Sequence, residues 1–227
     1  MLRYVIVKQG ESRSFPTDAP ENHPLIVGAA DHPETHGPRD VLVLIGEHAA
    51  RGLAKIHDPQ PWRAILVELG TECLGVHTGE SRGREGSNVL GFARFRLGAA
   101  APTSLVELVR QPGTDPEALA AAREVFEGAG LTVAVCNDFP GRIVDRLIRP
   151  YLNAALRRLD ERLASAEDMD TTLRLGLGYP EGPISLLERT GLAQHCDVTQ
   201  ALYEALGDPA YAPARRAQVA KARNARG

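Results

Sequence analysis

The chain has little of what would place it in several common functional classes. Its three cysteines, Cys73, Cys136 and Cys196, are odd in number and widely spaced, so neither a disulfide framework nor a paired-cysteine zinc site is expected. With 26 basic and 29 acidic side chains and a formal net charge of −3, it has no cationic excess to neutralise phosphates, and nucleic acid is not an expected partner. The locally basic C-terminal stretch "ARRAQVAKARNARG" reads as a solvated tail. No apolar run approaches membrane-spanning length, and the run in "MLRYVIVKQGES" is too short for a signal peptide; the expectation is a cytoplasmic protein without a membrane partner. There is no G-x-S-x-G motif to support a serine nucleophile. His32 and His36 flank Glu34 in "DHPETH", with His77 elsewhere, but the segment reads as a polar loop and no metal is expected.

What is present is an ordinary globular composition, 43% hydrophobic and 24% charged over 227 residues, enough for one large domain or two modest ones. Up to about residue 110 the apolar residues fall in short β-branched runs bounded by Gly, Pro, Asp or Asn: "RYVIV" (3–7), "PLIVG" (24–28), "DVLVLIG" (40–46), "RAILVELG" (63–70) and "NVLGFARF" (88–95). These predict buried strands, with a short helix over "EHAARGLAKI" (47–56) making a strand–helix–strand unit. "SFPTDAPENH" (14–23), "DHPETHGPRD" (31–40) and "GVHTGESRGREGS" (75–87) read as polar loops.

From residue 115 the period becomes helical. Asp115-Pro116-Glu117 is a helix start with a cap, a first-turn proline and an acid at the positive end of the dipole. The helix runs to Gly130, and "LTVAVC" (131–136) is one more strand. Beyond the turn Asn137-Asp138-Phe139-Pro140-Gly141, Ile143, Leu147, Tyr151, Ala155 and Leu159 share a face with Val144, Ile148, Leu152 and Leu156 beside them. The spacing predicts a buried stripe, with Arg157, Arg158, Asp160 and Glu161 opposite. "SAED" (165–168) starts a further helix. Two more follow the rigid turn "GYPEGP" (178–183), over 184–192 and 197–206. The organisation is a strand-rich α/β half followed by an all-α half, with the boundary near 137–141.

Residues 105–206 resemble the back half of the 3-hydroxyacyl-CoA dehydrogenase family. The matching stretches are "LVELVRQPGTDPEAL" (105–119), "DFPGRIVDRLIRPYLNAAL" (138–156) and "ASAEDMDTTLRLGLGYPEGPISLLERTGL" (164–192), then "DPAYAP" (208–213), in family order. The resemblance implies a Rossmann NAD-binding domain, here a reduced Rossmann-like α/β half over 1–137, followed by a helical domain over 138–227. It also implies oxidation of an acyl-CoA 3-hydroxyl by hydride transfer to NAD, and a homodimer.

Three positions depart from the family pattern. The G-x-G-x-x-G turn that lets backbone approach a pyrophosphate is replaced by "KQGESRSFPTDAP". The base, a histidine in "G-h-H-F-F-N-P" oriented by the glutamate of "L-V-E", is Ala93 in "GFARFRLGAAAPTS", although Glu107 stands at the glutamate position. No histidine lies between His77 and His195 to replace it, and alanine can take no proton. The asparagine of "P-G-F-I-V-N-R" is Asp145, which accepts hydrogen bonds but cannot donate an amide N–H. Asn153 matches a structural family asparagine. The pattern is similar to the degenerate second copy in fused members of the family. The candidate site residues are therefore Glu107 and Asp145. The expected function is an impaired homologue that binds acyl-CoA, dimerises, or associates with an active dehydrogenase. The alternative is an active NAD-dependent enzyme with an unusual site.

Overall fold

The computed structural model describes residues 2–16, 23–27, 40–80 and 87–225. The chain divides into two compact units, residues 1–96 with 101–142, and residues 97–100 with 143–227.

The first unit is built on a six-stranded sheet in the order β1 (Tyr4–Lys8), β2 (Val41–Ile45), β3 (Ala64–Glu68), β4 (Val89–Arg94), β5 (Leu105–Arg110), β6 (Thr132–Asn137). The first four strands are mutually parallel, β5 is antiparallel to β4, and β6 is parallel to β5. Strands β2 and β3 are buried at every position, which is why they read as unbroken apolar runs rather than alternating ones. Their side chains still alternate in direction. Val41, Val43, Leu66, Leu90, Phe92, Val106 and Leu108 pack with Phe126 and Ala122 of α4 (Pro116–Gly128). Leu42, Leu44, Ile65, Val67, Val89 and Val109 pack on the other face with Leu53 of α2 (Ala49–Ala54). Asp115 caps α4 by accepting from the Glu117 N–H at 2.8 Å, as the sequence predicts.

Two expectations in this unit are corrected. "PLIVG" is not a strand: Pro24–Val27 form α1, a single helical turn. Proline opens it with its fixed φ, His23 Nδ1 accepts from the Leu25 N–H at 3.1 Å, and Tyr4 Oη donates to the Leu25 carbonyl at 2.9 Å. "GVHT" is likewise helical, forming α3 (Gly75–Thr78), whose first N–H groups are taken by a side chain described below. His32, Glu34 and His36 lie outside the described residues.

The second unit comprises α5 (Val144–Asp160), α6 (Ala166–Leu177), α7 (Pro183–Thr190), α8 (Leu192–Leu206), a 3₁₀ turn (Pro209–Tyr211) and α9 (Arg215–Asn224). Leu152, Leu156, Ile184, Leu187, Cys196 and Ala217 form its core. Ser165 caps α6. Asp170 of α6 caps α7 in turn, accepting from the Ile184 and Ser185 N–H groups at 2.9 Å each. The predicted stripe on α5 is only half buried: Leu152, Ala155 and Leu156 are in the core, whereas Leu147 is 73% exposed. The basic "tail" is also corrected. It folds as α9 because Ala214 and Ala217 are small enough to pack into the core of this unit, while its arginines point outward.

Candidate functional site

The register of the β4–β5 ladder pairs Ala93 directly with Glu107. Both are buried, Glu107 to 2% exposure. A carboxylate so far from water needs a partner, and among the described residues it has Arg142, whose Nε donates to Glu107 Oε2 at 3.3 Å. Arg142 is itself buried, and its Nη1 has no hydrogen-bond partner. It reaches inward because Gly141 and Arg142 both adopt left-handed backbone, with φ of 73° and 51°. That conformation suits glycine but costs another residue on the order of 1–2 kcal/mol. The turn is fastened by the Gly141 N–H donating to the Thr71 carbonyl at 2.9 Å. Arg142 stands third in "PGRIVDR", where the family pattern has phenylalanine. Two departures therefore fall on one carboxylate: alanine in place of the histidine, and a guanidinium in place of a ring.

The surroundings of this pair are also charged. Burial first, then the Glu107 charge, push the Cys136 thiol up to about 11, with Arg142 opposing and Asp138 adding to the rise; Cys136 is no thiolate nucleophile near neutral pH. Asp138 accepts from the Leu74 and Gly75 N–H groups at 2.7 Å each, which tethers α3 to the end of β6.

At the C-terminal ends of β1–β3, where open α/β sheets bind ligands, lies a cavity of about 270 Å³. The buried carboxylate of Glu68 dominates it. Glu68 Oε2 accepts from the Gly46 N–H at 2.6 Å and from Ser12 Oγ at 2.8 Å, and Oε1 accepts from the Ser14 N–H at 2.7 Å. Gly46 has φ 109°, and a Cβ there would strike the Gln9 carbonyl, so this turn requires glycine. Glu11, Glu47 and Glu72 line the same cavity, with Arg13 and His77. Burial alone would raise the Glu72 carboxyl, but the hydrogen bond from His77, two backbone N–H bonds and the His77 charge hold it at about 2.

The residues here do not fit a dinucleotide pyrophosphate. Backbone N–H groups that would serve a phosphate are taken by the protein's own carboxylate, and three further carboxylates face the space. The strand order also runs without reversal from β1 to β6, so the described sheet has no switch point at which a dinucleotide would straddle β1. Among the described residues, no three His, Cys, Asp or Glu side chains are grouped to hold a metal ion.

Asp145, in the second unit, is the end of a buried relay. Arg149 Nε donates to Asp145 Oδ1 at 2.7 Å, and Arg149 Nη1 contacts His195 Nδ1 at 3.0 Å. His195 Nε2 contacts Asn153 Oδ1 at 3.0 Å, and Asn153 Nδ2 donates to the carbonyls of Ala210 and Ala212 at 3.1 and 3.2 Å. Since Arg149 can only donate and Asn153 Oδ1 can only accept, the imidazole is neutral and carries its proton on Nε2. Burial, then the Arg149 charge, hold its pKa down at about 3. The relay joins α5 to α8 and to the 3₁₀ turn; it places Asp145 and Asn153 in a scaffold. Arg142, Glu68, Arg149 and His195 were not singled out from sequence. The arginine within "PGRIVDR" was the one available signal.

A sheet of four parallel strands extended by two that run the opposite way, covered on both faces and followed by a helical unit, is a Rossmann-like α/β fold with a C-terminal helical domain. The family model described as "3-hydroxyacyl-CoA dehydrogenase, C-terminal domain" matches residues 141–226. Residues 141–226 thus carry the C-terminal domain of the 3-hydroxyacyl-CoA dehydrogenase family. A 3-hydroxybutyryl-CoA dehydrogenase of Bradyrhizobium diazoefficiens is 38% identical over 109 residues, which are 48% of this chain and 37% of that protein. Another 3-hydroxybutyryl-CoA dehydrogenase, of Mycobacterium tuberculosis, is 36% identical over 132 residues, covering 57% of this chain and 45% of that protein. The match thus spans less than half the length of these relatives. The crystal structure of (S)-3-hydroxybutyryl-CoA dehydrogenase PaaH1 from Ralstonia eutropha superposes with a TM-score of 0.67 at 26% identity, over 82% of this chain and 66% of that one. Among the described residues no helix is long and apolar enough to cross a membrane.

Proposed function

We propose that this chain is a 3-hydroxyacyl-CoA dehydrogenase homologue that no longer transfers hydride and that serves by binding acyl-CoA and pairing with a second dehydrogenase-type subunit, its own copy or an active relative. The observation that carries the reading is the Ala93–Glu107–Arg142 arrangement. The glutamate that orients a catalytic imidazole in the family is neutralised by a guanidinium, which cannot act as a base at any accessible pH. The carboxylate-filled end of the sheet supports the same reading from the cofactor side. Pairing is supported by the helical unit's exposed leucines: Leu147, Leu163, Leu175 and Leu177 are all between 62% and 80% exposed, apolar surface that a second subunit would remove from water.

Thermal-shift titration with NAD, NADH and acetoacetyl-CoA, each added separately, tests the proposal. The expected result is a rise in melting temperature with the acyl-CoA and none with either nucleotide. Stabilisation by nucleotide alone would overturn it.

A further inference from the structure

The helical unit contains a second candidate site, remote in sequence from Ala93 and Glu107. A groove of about 260 Å³ runs between α5, α7, α8 and α9. Its floor is aliphatic: Leu156 and Ile184 are almost wholly buried, with Leu159 and Leu192 beside them. The wall supplied by α9 is amphipathic, with Val219 and Ala220 turned to the floor and Arg215, Arg216 and Arg223 at the rim. Polar groups enter the lining only at Glu188 and at those three guanidinium groups.

The rim already holds one carboxylate. Arg215 grips Asp160 through Nε and Nη2 at 3.2 and 2.8 Å, and Arg216 Nε reaches the same Oδ1 at 2.7 Å. Two guanidinium groups thus share a single acid. Arg223 forms no ion pair among the described residues. Counting Asp160 and Glu188 against the three arginines leaves one positive charge at the mouth of an apolar slot. That combination matches an anionic head on one hydrocarbon chain.

We propose that this groove binds a single-chain fatty anion, its alkyl chain on Leu156, Ile184 and Leu192 and its carboxylate against Arg216 and Arg223. The volume falls just below the about 300 Å³ at which pockets begin to enclose drug-sized ligands. It therefore has room for part of one alkyl chain. The site stands on the helical unit alone and is independent of whether hydride transfer is lost.

The test is calorimetric titration of the full chain with dodecanoate below its micellar concentration, beside acetate, dodecanol, and vesicles of phosphatidylglycerol or phosphatidylcholine. Arg223→Glu and Val219→Asp are the informative variants, because both side chains are exposed and the fold should survive their replacement, as a melting curve would verify. The expected result is saturable one-site binding of dodecanoate, weakened roughly tenfold or more by each variant. Dodecanol should bind more weakly and acetate not detectably. Unchanged affinity in both variants, or binding that never saturates, would overturn the proposal. Binding to phosphatidylglycerol vesicles without binding of free dodecanoate would overturn it as well, and would assign the surface to an anionic membrane.

Discussion

Ala93 faces Glu107 across the antiparallel β4–β5 ladder, and the carboxylate between them is held by Arg142 at 3.3 Å. The geometry makes a simple back-substitution uninformative as a rescue. Ala93→His would force an imidazole into a position 6% exposed, against a carboxylate that already has a cation. It should cost about 1–3 kcal/mol by overpacking and yield no NADH from 3-hydroxybutyryl-CoA. Urea unfolding and nucleotide absorbance read the two outcomes.

Arg142→Met should be among the most damaging single changes in the first unit. It takes a guanidinium away from the buried Glu107 carboxylate, a loss of up to about 3–5 kcal/mol. Adding Glu107→Gln should restore a substantial part. A double-mutant cycle by urea unfolding measures the coupling, and additive effects would contradict the pairing. The same variants move Cys136 in opposite directions. Removing the Glu107 charge lowers its thiol below about 11, and removing Arg142 raises it, as alkaline reactivity with a thiol reagent would show.

His195 makes stability depend on pH. Its folded pKa, about 3, lies below the ordinary 6.5, so the unfolded chain takes up the proton first. The stability is fully present above pH 6.5 and is lost as pH falls towards 3, by as much as roughly 5 kcal/mol at the full extent. His23, also lowered by burial and by the Arg94 charge, contributes in the same direction. Glu72 acts only below its ordinary 4.5. Urea midpoints between pH 7.5 and 4.5 should therefore fall steeply for the native chain and less steeply for His195→Gln. Parallel slopes would refute the neutral buried imidazole.

If the exposed leucines mediate pairing, Leu175→Asp combined with Leu177→Asp should shift the sedimentation coefficient to that of a monomer while leaving the melting temperature of dilute protein nearly unchanged. A native chain that already sediments as a monomer at high concentration would remove the argument.

Much of this was legible in the residues. β-branched runs fixed five of the six strands, and Asp115 and Ser165 announced their helices. The misses have physical causes. "PLIV" has strand-like composition, but a proline and a capping histidine close it into a turn of helix. The α9 segment looks like a solvated tail because its many arginines hide the two alanines that dock it. Arg149 and His195 were missed because an interior polar relay is assembled from residues 46 apart in sequence, and no local period announces it. Glu68 reads as the acidic end of a strand. Its role appears only when loops from β1 and β2 bring their N–H groups to it.

The most direct measurement is turnover: NADH formation from (S)-3-hydroxybutyryl-CoA and NAD by the purified chain, beside an active relative at equal concentration. The predicted result is no rate above the enzyme-free background, unchanged in Glu107→Gln. A measurable rate in the native chain that disappears in Glu107→Gln would contradict the account and restore Glu107 to a working active site.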